Sequence, residues 1–375
     1  MDRRNFIKSL LGGSVASYAM AKSKRAFAYN NLHPKNGPYI DGLSFLPEDL
    51  ADIKNAKVDG YVADISRIEA IELPDGRMNY KRTYKACIEG IEAARNIIEA
   101  NNDKVILAKS GADVEEAMKD GKAAIFPQIQ GADCIEGGFH ELDDFEALGL
   151  RVLQLTHHYG NLYAGGALDK VERGLTKKGR ELIPLLQKKH MLVDVSHSSP
   201  QSARDTLSIA TKPLAQTHGA ARAIVNHARC TPDDVLKGIG DGGGVFGVFM
   251  MSFWLTADDV PLPDHYLAQI RHVANVAGIE GVGVSNDYQL RGDIDLLALE
   301  NDNFEGVKKY LPWWESLRSQ CILGYEQDPK HVVIPELNNI DRMERIHALL
   351  LKAGFKTGEA DKIMGKNWQR LLKSI

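Results

Sequence analysis

Met191-Leu192-Val193-Asp194-Val195-Ser196-His197-Ser198-Ser199-Pro200 is the stretch on which the fold turns. An apolar, β-branched run gives way to Asp, Ser and His, and Ser-Ser-Pro then signals the start of a helix. This is the pattern of a parallel strand buried on both faces, with polar groups at its C-terminal end and a helix following. The same pattern recurs on both sides. Upstream it marks strands over 39–41, 60–65, 105–107, 123–130 and 152–156; downstream it marks 213–217, 244–249 and 282–285. Helical periodicity fills 80–101, 114–120, 176–188, 200–209 and 263–277. About eight such strand-helix units close an α/β barrel of the (β/α)8 TIM type. Two closing helices are expected over 340–353 and 358–372. A doubly wound open sheet shows the same alternation but needs a glycine-rich phosphate turn after a strand, and Gly242-Gly243-Gly244 precedes one instead.

A chain of 375 residues suits one barrel domain, and with 44% hydrophobic residues it buries a core without crosslinks. The net charge of -4, with no basic run interleaved with aromatics after the first thirty residues, excludes nucleic acid as a partner. Cys87, Cys134, Cys230 and Cys321 form no CxxC pair, so neither a zinc knuckle nor a redox motif is signalled. One or two disulfides stay open if the compartment is oxidising.

Residues 1–28 read as an address. Arg3-Arg4 precedes Asn5-Phe6-Ile7-Lys8, a short Gly/Ala/Ser-rich apolar stretch and small residues spaced Ala-x-Ala. This is a twin-arginine signal, whose translocase would deliver domain 29–375 to the periplasm. A lipid-surface anchor is the alternative.

In a barrel of this type, polar residues that end strands carry the chemistry. Here they are His157 (in Leu153-Gln154-Leu155-Thr156-His157-His158), Asp194 and His197, His218, Gln130 and Asp287. A single histidine after a strand reads as a cap or core residue. Several at one end of a barrel, beside a carboxylate, are what holding a zinc ion and acidifying water require.

These segments resemble the renal (membrane) dipeptidases, peptidase family M19, a branch of the metallo-dependent hydrolase-like barrels. Carrying the likeness are Leu155-Thr156-His157, Asp194-Val195-Ser196-His197, Thr217-His218-Gly219-Ala220-Ala221-Arg222-Ala223, Arg229 and the terminal Gly365-Lys366-Asn367-Trp368. The resemblance implies small peptide substrates and a homodimer. It also implies two zinc ions that share a bridging glutamate. One ion takes a His-x-Asp pair from the first strand, and the other takes two histidines that His197 and His218 match. His157 matches the group that polarises the substrate carbonyl, Arg229 the holder of the substrate carboxylate, and Asp287 the proton carrier. Arg229 could instead bridge surface carboxylates, and Asp287 could brace a loop.

Three positions depart from that pattern. Asp41-Gly42 is followed by Leu43-Ser44-Phe45 where His and Asp belong, and Gln130 stands in place of the bridging glutamate. Leucine and phenylalanine offer no donor, and a neutral amide bridges two dications poorly. The expected metal set is therefore His197, His218 and Gln130, holding one zinc or fewer. A one-metal hydrolase, a non-hydrolytic enzyme and an inactive binding protein all remain open. Trp313-Trp314 could line a substrate pocket or pack a late helix against the barrel, and packing is the expectation.

Overall fold

Strands covered on both faces are buried along nearly their whole length, and the eight that form the barrel are, including the polar Gln216, Thr217 and His218. In a computed structural model that describes residues 35–72, 78–298 and 303–375, these are β1 (Ile40–Phe45), β2 (Gly60–Asp64), β3 (Ala123–Gln130), β4 (Val152–Gln154), β5 (Leu192–Asp194), β6 (Ala215–Gly219), β7 (Val245–Val248) and β8 (Val282–Val284). Each pairs in parallel with the next. The export signal read over 1–28 lies outside the described residues. No helix among those described is long and apolar enough to cross a membrane.

β8 meets β1 through side chains as well as backbone, which nearly closes the barrel. Asp287 N–H donates to the Leu43 carbonyl at 3.0 Å. Asp41 Oδ1 accepts from Asn286 N–H at 2.8 Å, and the Asn286 side-chain amide donates to Oδ2. The buried Asp41 thus ties the two strands. Helices wrap the outside and start where the sequence supplies caps: Thr176 accepts from Gly179 N–H at 3.1 Å, and Ser199 from Ser202 N–H at 3.0 Å.

The N-terminal mouth is plugged by the last helix, Asn367–Leu372, whose Trp368, Leu371 and Leu372 pack with Ile40, Val62, Ala124 and Val245 of the strands. Trp368 is fully buried, and its Nε1–H donates to the Val284 carbonyl at 2.9 Å. Gly42 and Gly283 make room for it, since a Cβ at either would come within 2.4 Å of the indole.

Some local expectations need correction. β1 runs on to Phe45, so Leu43 and Phe45 are strand residues. Val105–Leu107 flanks the first half of β3 and is not one of the eight. A hairpin, Glu69–Glu72 with Met78–Lys81, occupies the start of the helix expected over 80–101. That helix begins at Tyr84, because Thr83 caps it by accepting from Ala86 N–H at 3.2 Å. All four cysteines are free thiols.

Candidate functional site

The C-terminal ends of the strands converge on a cavity of about 530 Å³, where Asp64 ends β2, Gln130 ends β3, and His157, His158, His197 and Asp287 follow β4, β5 and β8. Phe45, Trp254 and Trp313 supply apolar walls, and Arg82 reaches in from just past the hairpin. Trp313 therefore lines the cavity, against the expectation that it only packs; Trp314 is buried as expected.

Four imidazoles form one cluster. His157 stacks on His197 at 4.6 Å between centroids, and His158 meets His197 edge-on at 4.5 Å. His197 Nδ1 lies 3.1 Å from His158 Nδ1, and its Nε2 lies 2.7 Å from His218 Nε2. Behind them, His218 Nδ1 is 3.0 Å from Thr217 Oγ1, and Thr217 Oγ1 is 2.5 Å from Asp194 Oδ2. Asp194 also accepts from Ser196 Oγ at 2.7 Å and from Gln128 Nε2 at 2.6 Å. His158 and His197 both hold left-handed backbone, φ 61 and 58, a conformation that non-glycine residues keep only where the surroundings impose it.

Charge is distributed to keep these rings neutral. Burial pushes the pKa of His157, His197 and His218 well below the usual histidine range, and that of His158 down to about 3, with the Arg229 guanidinium adding to each. Arg229 itself is buried. It does not line the cavity, and its guanidinium lies 5.3 Å from the Phe249 ring and 5.4 Å from the Trp254 ring. Its Nε and Nη2 have no hydrogen-bond partner, and neither has the buried Arg82 Nε. Both carboxyls in the cavity are raised: burial lifts Asp64, and burial carries Asp287 to about 7.

Of the expected metal ligands, His197 stands in the cluster. His218 turns its Nε2 onto His197, and Gln130 donates its amide to Asp64 at 2.9 Å. Among the described residues, His157, His158 and His197 are the group that could hold an ion, with one ligand atom each, all within 4.8 Å of one another. The two-ion set implied by the resemblance does not fit. Phe45 puts a ring into the cavity, Leu43 is fully buried and without a donor, and Gln130 is a neutral amide, its NH2 donated to Asp64, where a bridging carboxylate is needed. Cys230 lies apart, its thiol against the Trp254 carbonyl at 3.7 Å and raised by burial to about 12.

Three residues escaped the sequence reading. His158 stood beside His157 in plain view, and Asp64 ends the apolar run Gly60–Asp64 by the same rule that picked out Asp287. Arg82 carried no such signal, because its place depends on the hairpin before it.

Comparison with known proteins agrees with this architecture. The family model of the membrane dipeptidases, peptidase family M19, matches residues 61–310. The chain is 25% identical to the dipeptidase tcpJ of Claviceps purpurea over 316 residues, 81% of this chain and 64% of that protein. It is 28% identical to the dipeptidase verJ of Clonostachys rogersoniana over 232 residues, 61% of this chain and 58% of the other. The chain therefore spans less than two thirds of the length of these curated relatives. An amidohydrolase from Pseudomonas aeruginosa superposes with a TM-score of 0.74 at 24% identity, over 90% of this chain and 96% of that one. A metallo peptidase from Rhodobacter sphaeroides, liganded with a phosphinate mimic of the dipeptide L-Ala-D-Ala, gives 0.70 at 17% identity, over 90% and 99%.

Proposed function

Because the chain belongs to the membrane dipeptidase family, peptidase family M19, we propose that it is a metal-dependent hydrolase of dipeptides or similarly small amides. The observation that carries the reading is the histidine cluster at the C-terminal mouth of the barrel, sharing one cavity with Asp287. A metal ion held by such a cluster, zinc in our reading, supplies Lewis-acid polarisation of the scissile carbonyl and of the attacking water. The chain's own groups do the rest. Asp287, titrating at about 7, can take a proton from the water and return it to the leaving amine. Arg82 lines the cavity with a buried Nε–H that lacks a partner, and a substrate carboxylate would satisfy it, while Arg229 sits outside the cavity against the Trp254 ring and contributes positive charge. Trp254, Trp313 and Phe45 keep bulk water from the reacting bond.

The proposal extends to export by the twin-arginine translocase, to residence in the periplasm and to a homodimer. The first two rest on Arg3-Arg4 and the segment after them, the last on the family alone. Phe45 in the cavity and the engaged Gln130 amide favour a second reading, a binding protein that has lost hydrolysis. One assay separates the two: amino-acid release from a dipeptide panel that includes D-residues at the C-terminal side. We expect release that a chelator stops and added zinc restores. Saturable binding of the same dipeptides with no release would support the second reading and overturn the first.

A further inference from the structure

The positions of hydrogens along the buried chain behind the cavity follow from the donors available. Thr217 has one hydroxyl hydrogen, and the Asp194 carboxylate 2.5 Å away takes it. His218 Nδ1, 3.0 Å from that hydroxyl oxygen, must then be the donor, which leaves its Nε2 bare when the ring is neutral. His197 Nε2, 2.7 Å away, must therefore carry the hydrogen that joins the two rings. The Nδ1 of a neutral His197 is then a free lone pair, and it lies 3.1 Å from His158 Nδ1. Asp194 thus fixes, through Thr217 and His218, which nitrogen of His197 is available as a ligand.

We propose that this chain binds a single transition-metal ion through His157, His158 and His197, with His218 acting behind them as a positioning residue. This deepens the metal-dependent reading above and rests on it. Two nitrogens on one tetrahedral zinc, each at ~2.0–2.1 Å, stand about 3.3 Å apart. The His158–His197 pair, 3.1 Å apart, is within a few tenths of an ångström of that spacing, and the His197–His218 pair, at 2.7 Å, falls further short of it. Local backbone geometry brings the rings together: Tyr159 N–H donates to the His157 carbonyl at 2.8 Å, a three-residue turn that forces His158 to φ 61. Trp313 then packs on the His158 ring at 5.4 Å. Neutral imidazoles suit zinc and cobalt, and three of them leave a fourth position for water or substrate. The assignment also moves His157 from carbonyl polarisation to ligation.

Cobalt(II) added to the metal-free protein reads coordination without turnover, through the intense visible band of a tetrahedral site. The wild-type protein should show that band at one equivalent. His158→Asn and His197→Asn, which tolerate left-handed backbone, should abolish it. His218→Gln keeps an acceptor behind His197, so it should keep the band with affinity lowered about tenfold. Should His158→Asn fail to unfold cooperatively, His158→Gly, which relieves the same φ, takes its place. No band in the wild type, a band that survives loss of His158, or a band lost in His218→Gln would each overturn the assignment. A chain that passes the cobalt test yet releases no amino acid would leave the site standing and sink the hydrolytic reading instead.

Discussion

Asp287 is held at φ 53 with its carboxyl buried, and the cost of ionising it there has a measurable consequence. Burial lifts its pKa from 3.8 to about 7; Arg229 opposes the lift, while Asp64 and Asp41 add to it. A folded-state pKa above the unfolded one means that the folded chain binds the proton more tightly. Stability from this group is therefore full below the unfolded value and is lost as pH rises through the folded one. In metal-free protein, Asp287→Asn should raise the melting temperature above wild type more at pH 8 than at pH 5. An equal difference at both pH values would show that the carboxyl is not strained in this way. Metal loading should shrink the difference, because a cation nearby favours the carboxylate.

Trp368 shows how an element at the far end of the chain governs the strands. Its indole fills the space left by Gly42 on β1 and Gly283 beside it on β8, and it donates to Val284. Trp368→Ala should cost about 3–5 kcal/mol, read as a lower urea midpoint, since the cavity it leaves lies between strands that cannot collapse. A shift below 1 kcal/mol would show that the plug is dispensable. Elements of this kind were legible in part. Strands such as Gly60–Asp64, Ala123–Gln130 and Leu192–Asp194 were readable because each is an apolar run ended by a polar group, and two of the helices because Thr176 and Ser199 cap them. The hairpin before Arg82 was not, since Glu69–Glu72 is polar and mostly exposed, with no hydrophobic pattern to announce it. At the site, the positions of His157, His197 and Asp287 in the cavity follow from where their strands end. The turn of His218 onto His197 and the engagement of Gln130 by Asp64 do not, because they depend on side chains brought together from separate strands.

At the scale of the whole molecule, we propose a barrel that is exported and that carries a metal centre built from its own histidines. Changing Arg3 and Arg4 together to lysine should leave precursor in the cytoplasm; normal periplasmic yield would refute the twin-arginine reading. The centre's central claim is a count. Leu43 and Phe45 offer no donors and Gln130 offers only a neutral amide, so the first-strand pair and the bridging carboxylate that would hold a second dication a few ångströms from the first are missing, and Asp64 and Asp287 are the carboxyls left in the cavity. The most direct measurement is elemental analysis of the zinc-saturated protein after loosely held metal is removed, run beside a chain carrying Leu43→His, Phe45→Asp and Gln130→Glu. We expect one tightly held ion per natural chain, and a value approaching two in the triple variant. Two tightly bound ions in the natural chain would contradict the account.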